Sequence, residues 1–374
     1  MGVGLTACLP RDYGNGTFVG RAQAPDGPHV IVLVGGEIRD ITAVASTVSG
    51  ALARRALAGG SVLGPIEQGL PDGWTLLSPI DLQCVKACGV TFAVSAIERV
   101  IEERARGDAA AAATLRGQLE ATIGAGIRAV VPGSAEALAL KQALIAEGMW
   151  SQYLEVAIGP DAEVFSKAPV LSSVGYGALI GVRSDSSWNN PEPEIVLVVD
   201  PVGEVVGATL GNDVNLRDIE GRSALLLSKA KDNTASCAIG PFIRLFDAGF
   251  GIDDIRSAEV ELVVEGQDNF RMEGTNRMTE ISRDPLDLVH QTLSEHSYPD
   301  GFVLFCGTLF APTQDRDEPG GGFTHKRGDR VTIRSERLGA LVNVVTTSRD
   351  APPWTEGIGA FMRNLTARGL ADLA

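Results

Sequence analysis

Apolar residues in this chain fall into short runs rather than long helical stripes. Val30-Ile31-Val32-Leu33-Val34 runs into Gly35-Gly36, and Asp40-Ile41-Thr42 follows. The glycine pair reads as a hairpin turn, not a phosphate cradle, because no P-loop lysine with serine or threonine follows it. A weak helix is predicted near 51–57, and Gly59-Gly60 with the stretch 64–73 reads as a linker. Further on the period changes. Ile97, Val100, Ile101 and Arg104 share a helical face and predict a helix over 93–122, with Ala109–Ala113 as its continuation or its break. Leu138, Leu140, Ala143 and Leu144 predict a second helix over 135–154, its end packed by Met149, Trp150 and Tyr153. From about residue 163 strand-like runs return, at 195–199, 205–209, 260–264, 302–305, 331–333 and 341–345. Strands do not alternate regularly with helices, so the expected class is α+β, not a parallel βαβ sheet. The expected division is a small strand-rich N-terminal domain over 1–75 and a β-rich catalytic domain over 76–374. Asp315–Gly322 reads as a flexible polar loop.

Composition narrows the function. The 374 residues are 44% hydrophobic and 21% charged, as in a globular chain. With 32 basic against 47 acidic residues the net charge is −15, which disfavours nucleic acid and anionic membrane surfaces as partners. A small anionic substrate stays open if a divalent cation reverses the local field. No run approaches the ~18 apolar residues of a membrane span, and the first residues lack a secretory pattern. Cys8, Cys84, Cys88, Cys237 and Cys306 are odd in number and scattered, which points to reduced thiols and a cytoplasmic location. Cys84 and Cys88 have no matching pair elsewhere and read as buried thiols rather than half a zinc site.

Three acids carry the candidate chemistry. Glu192 and Glu194 precede the apolar run Ile195–Val199, and a spacing of two on a strand turns both carboxylates to one face. Such neighbours repel unless a cation neutralises them. Asp213 follows the Gly211-Asn212 turn, and three hard oxygen ligands suit Mg²⁺. For this short pattern alone, a solvated Glu-x-Glu edge is the better reading.

The longer context is Gly211-Asn212-Asp213-Val214-Asn215-Leu216-Arg217-Asp218, then Lys231-Asp232-Asn233-Thr234-Ala235-Ser236-Cys237, then Gly307-Thr308 and Gly328-Asp329. In this order the segments, over about residues 80–370, resemble the fumarylacetoacetate hydrolase family. The resemblance implies a β-rich mixed α/β roll. It implies Glu192, Glu194 and Asp213 as ligands of Mg²⁺, or of Mn²⁺ in its place. It also implies Lys231 as the active-site lysine, Gly307 and Thr308 at the substrate carboxylate, and a homodimer or higher homo-oligomer. The family's Gly-x-Asn-Tyr-x-x-His-x-x-Glu pattern stands here as Gly89 to Glu98, with Ser95 in place of the histidine. Activation of water by a His/Glu dyad is therefore in doubt, and His325 is expected as a surface loop histidine.

The segments 89–108, 150–160 and 187–191 resemble a narrower group, the 2-keto-3-deoxy-D-xylonate dehydratases. That resemblance implies a small-molecule 2-keto-3-deoxy sugar acid as substrate and 2,5-dioxopentanoate as product. Chelation of the keto acid by the metal assists loss of a C3 proton, water leaves from C4, and no redox cofactor is needed. Lys231 and Glu98 are the candidates for base and acid. Ser95, Arg183 and Ser187 are candidate substrate contacts. Arg217 and Asp218 are expected as an ion pair bracing Asp213, with Asn212 and Asn215 as supports behind the ligands. Competing readings are an acylpyruvate hydrolase or oxaloacetate decarboxylase of the same family, and a non-catalytic sensor of sugar acids.

Overall fold

A computed structural model describes residues 5–105, 127, 130–146, 148–310, 312, 314–319 and 322–373. The architecture is mixed α/β and rich in strands. An 11-stranded sheet runs from one edge in the order Ser61–Pro65, Glu37–Asp40, Gly27–Val34, Thr17–Ala24, Cys237–Leu245, Val205–Asp213, Pro193–Val199, Phe302–Phe305, Cys84–Gly89 and Glu163–Ala168. Thr75–Leu76 pairs off this path with Thr17–Ala24. Strands of residues 17–65 thus share one sheet with those of residues 84–305, joined where Phe18 and Val19 face Arg244 and Ile243. A second sheet of five strands orders Arg271–Arg277, Glu259–Glu265, Arg330–Ser335, Gly339–Thr347 and Leu179–Val182.

The two sheets enclose the main core. Ile195, Leu197 and Val199 face Val260, Leu262, Val331 and Leu341 there. Their strand neighbours Val196 and Val198 point the other way, into a core with Val19, Val30, Val32 and the Val48–Ala53 helix. Burial on both faces explains the unbroken apolar run of this strand. All six strand-like runs lie inside observed strands.

Other expectations change. The expected linker, Gly59-Gly60 with 64–73, is interrupted by the sheet strand Ser61–Pro65, which pairs with Glu37–Asp40 and takes in the first two residues of 64–73. The helix expected over 135–154 is two helices, Ala135–Ala146 and Gln152–Ile158. Gly148 stands between them at φ +68, in the left-handed region that glycine adopts without strain. Ser151 then caps the second helix by accepting from Tyr153 N. The helix expected over 93–122 is described as Ala93–Ala105, and the rest of that stretch, with Ala109–Ala113, lies outside the described residues. His325 is buried, not on the surface. Phe323 packs edge-on against it, its Nδ1 lies 3.3 Å from Asp329, and burial pushes its pKa down. In the polar loop, Arg316 is held against Asp268 and Asp329 with its side chain only 1% exposed.

Candidate functional site

The sheet ends its central strands at a cavity of about 40 Å³. Glu194 is on the Pro193–Val199 strand, with Glu192 just before it, and Asp213 closes the antiparallel neighbour Val205–Asp213. The Asp213 N–H donates to the Glu192 carbonyl (3.0 Å), and the Glu192 N–H donates to Asn212 Oδ1 (3.1 Å). This locks the ends of two strands together. One carboxylate oxygen from each of Glu192, Glu194 and Asp213 lies within 4.8 Å of the others, and all three residues are buried. Three convergent, buried carboxylate oxygens fit a hard divalent cation.

Each acid has a different partner set. Glu192 Oε1 accepts from Arg99 (2.8 Å) and Asn215 (3.0 Å), and Oε2 accepts from Lys231 Nζ (2.5 Å). Asp213 is gripped from both sides, by Lys167 at 2.8 Å and Lys231 at 3.1 Å. Burial opposes its charge, but the two ammonium groups hold its pKa below the ordinary carboxylate value. Glu194 accepts only the Gly307 N–H (2.7 Å) among the described residues. Burial, then Asp213 and Glu192, drive its pKa well above the ordinary value. Lys231 itself, despite burial, is raised by Asp213 and Glu192. Gly307 sits at φ +90, and a Cβ there would meet Thr91 Oγ1 at 2.1 Å, so the loop that delivers its N–H requires glycine.

The cavity collects most of the residues predicted from sequence: Ser95, Glu98, Glu192, Glu194, Asp213, Lys231 and Thr308. Ser95 donates to the Thr308 carbonyl (2.5 Å), tying the Ala93–Ala105 helix to the Gly307-Thr308 loop. Arg183 and Ser187 do not line it. Arg183 pairs with Asp185, and exposed Ser187 donates its N–H to Asp218. Arg217 and Asp218 do not pair with each other. Arg217 approaches Glu98 (3.5 Å) and lies over the Trp188 ring, while Asp218 accepts from Ser186 and Ser187. The turn into the short Arg217–Glu220 helix sends the two side chains apart.

Four residues of the site were not singled out from sequence: Glu163, Lys167, Arg99 and Glu220. Glu163, Phe165 and Lys167 alternate along Glu163–Ala168 and therefore share a face. Lys167 is 0% exposed and also donates to the Lys231 carbonyl. Arg99 joins Glu192 to Glu220. The carboxylate of Glu163 packs over Gly89, where a Cβ would come within 2.0 Å of its Oε2. Burial, then the nearby Glu220, push its pKa up to about 7. Lys167→Met is expected to cost ~3 kcal/mol of stability, because it breaks a buried ion pair. Guanidinium denaturation measures this against Lys229→Met, and an equal midpoint for the two variants would show that the pair contributes nothing.

Residues 160–346, half of the chain, match the fumarylacetoacetate hydrolase C-terminal family. The chain belongs to the fumarylacetoacetate hydrolase family. The match is shorter than the expected 80–370. Among its relatives is a probable 2-keto-3-deoxyxylonate dehydratase of Haloferax volcanii, 34% identical over 199 residues, which are 53% of this chain and 65% of that protein. A 2-dehydro-3-deoxy-D-arabinonate dehydratase of Saccharolobus solfataricus is 32% identical over 187 residues, 50% of this chain and 59% of the relative. The chain thus spans less than two thirds of the length of either relative. The fold is also that of 2-keto-3-deoxy-D-arabinonate dehydratase solved with magnesium and 2,5-dioxopentanoate. That structure superposes with a TM-score of 0.63 at 22% identity, over 88% of this chain and 99% of the other. No helix among the described residues of this family member is long and apolar enough to cross a membrane.

Proposed function

We propose that the chain is a magnesium-dependent hydro-lyase acting on 2-keto-3-deoxy-D-xylonate, which is 2-dehydro-3-deoxy-D-arabinonate. The products are 2,5-dioxopentanoate and water, in the oxidative, non-phosphorylating breakdown of D-xylose. The observation that carries this reading is the buried Glu192–Glu194–Asp213 cluster beside Lys231 and Glu163, in a cavity with no histidine among its described lining residues. The names of the two curated relatives support it. Elimination needs a base and an acid but no activated water, so the serine at position 95 is no handicap.

Glu192, Glu194 and Asp213 would hold the magnesium ion, which supplies Lewis acidity toward the C1 carboxylate and C2 carbonyl of the keto acid. Removal of a C3 proton and loss of the C4 hydroxyl as water leave a C3=C4 double bond. Transfer of a proton from C5 to C3 moves the double bond to C4=C5, and this enol becomes the C5 aldehyde as C4 gains a proton and the C5 hydroxyl loses one. Lys231, kept charged by Asp213 and Glu192, is suited to hold the negative oxygen, and it would take the C3 proton only where a bound cation offsets those acids. Glu163 is suited to protonate the departing hydroxyl, because it faces the same cavity and titrates near neutrality. Glu98 lines the cavity too, but it faces Arg217.

An acid must carry its proton, so the rate should fall as pH rises through the Glu163 pKa. Glu163→Gln is expected to lower turnover ~10²-fold and to remove that alkaline limb. A pH–rate profile checks it, and an unchanged limb in the variant would assign the acid elsewhere.

The deciding experiment is turnover of 2-keto-3-deoxy-D-xylonate with and without EDTA, coupled to 2-oxoglutarate semialdehyde dehydrogenase. A signal abolished by EDTA and restored by Mg²⁺ is expected. Release of pyruvate from an acylpyruvate, or of CO₂ from oxaloacetate, without that signal would replace the dehydratase by a hydrolase or decarboxylase.

We also propose a cytoplasmic homodimer. The exposed Trp354, Ile358 and Met362 at the C-terminal helix support an association surface. Light scattering at micromolar concentration is expected to give twice the chain mass, and a monomer would contradict it.

A further inference from the structure

Asn190 and Asn215 line the cavity and face each other in the two-stranded ribbon formed by Asn189–Asn190 and Asn215–Leu216. Opposed residues of an antiparallel pair project to the same side, with Cβ atoms about 4.5–5.5 Å apart. Each amide is oriented by a partner that only accepts. Asn215 Nδ2 donates to Glu192 Oε1 at 3.0 Å, and Asn190 Nδ2 donates to the Pro191 carbonyl at 2.9 Å. Flipping either amide would oppose two oxygens, so chemistry assigns which end is nitrogen. The other ends, Asn190 Oδ1 and Asn215 Oδ1, are buried and have no hydrogen-bond donor among the described residues. The residues are 2% and 1% exposed. A buried carbonyl without a donor is costly, and two on facing residues of one cavity mark a place that receives donors.

We infer that Asn190 and Asn215 form a paired acceptor for the vicinal hydroxyls of the substrate and thereby select hydroxylated keto acids over plain ones. The inference rests on the dehydratase reading and extends it from the keto-acid head to the C4–C5 diol. Hydroxyls on adjacent carbons offer two donors whose oxygens lie close together, and two carbonyls on opposed residues of one ribbon can bracket them. The carboxylate and keto oxygens are acceptors and gain nothing from these carbonyls. They are drawn instead to the cations Lys231 and Arg99, which also line the cavity. An accepted proton also leaves the lone pairs of the C4 oxygen free for protonation.

The test compares the unaltered chain with Asn190→Leu, Asn190→Asp and Asn215→Leu. Calorimetry, with Ca²⁺ in place of Mg²⁺ to slow turnover, gives the dissociation constants of 2-keto-3-deoxy-D-xylonate and of pyruvate, which has the same head and no hydroxyl. Mn²⁺ affinity is read separately by electron paramagnetic resonance. Asn190→Leu and Asn215→Leu are expected to weaken the sugar acid at least ~10-fold. Pyruvate and Mn²⁺ should still bind Asn190→Leu within about twofold of the unaltered chain, and Asn190→Asp, which keeps an acceptor, should lose less. Equal weakening of pyruvate, unchanged affinity for the sugar acid, or loss of Mn²⁺ from Asn190→Leu would overturn the inference. So would an unaltered chain with no preference for the sugar acid over pyruvate. A chain that prefers the sugar acid through these asparagines yet does not dehydrate it would sink the dehydratase reading and leave this one standing.

Discussion

Lys231→Met should lower turnover of the keto acid by ~10²–10⁴-fold, the usual range for losing a proton-transfer group. Lys231 is 3% exposed and reaches both Glu192 and Asp213, so its amine stands where any substrate bound to those acids must lie. Arginine at this position keeps the charge but is a poor base near neutral pH. If the lysine takes the C3 proton, both variants should fail in deuterium wash-in at C3, followed by NMR. If it holds the developing charge, Lys231→Arg should keep a measurable part of the rate. Rapid exchange in Lys231→Met would rule out the base role and shift attention to Glu163. Thermal melts belong beside the rates, because the same change removes a cation from two buried acids.

The second large effect is expected at the acids. Asp213→Asn, Glu192→Gln and Glu194→Gln should each cost at least ~10²–10³-fold in rate, comparable with losing a principal electrostatic contact to developing charge. The replacements match in shape, so the loss reports charge rather than packing. Asp213 is the most telling of the three. Its neutral amide would face two ammonium groups, Lys167 and Lys231, with one carboxylate fewer to balance them. Raising Mg²⁺ should recover part of the rate in the glutamine variants if weakened binding is the cause. Near-full turnover at low Mg²⁺ in any one variant would remove that residue from the ligand set.

The strands were legible where burial is two-sided. Ile195–Val199 and Phe302–Phe305 are apolar at every position because both faces of the sheet are covered. The acids and Lys231 could be found because they lie in compact segments with a recognisable order. Glu163 and Lys167 could not. A charge at every second or fourth strand position looks the same whether that face meets solvent or a polar cavity, and only the tertiary partner tells them apart. The break at Gly148 was missed for another reason. The helical period continues past it, and one residue with positive φ overrides the period. The strand beside the glycine-rich pieces 59–60 and 64–73 is not legible, because short, glycine-flanked Ser61–Pro65 gains its strand character from pairing with Glu37–Asp40.

The parallel pairing of Phe302–Phe305 with Cys84–Gly89 bears on how the chain is made. Next to that pair, Thr91 donates to the Cys306 carbonyl from 215 residues away. On the ribosome, Glu192, Glu194 and Asp213 emerge long before the Gly307 N–H that serves Glu194. Loop closure over such a distance is slow, and long-range pairing delays the folding step. The acidic cluster therefore spends part of synthesis without its last donor or its covering strand. A nascent chain stalled before residue 302 should remain protease-sensitive through the segment 190–215, and one extended past residue 310 should become resistant.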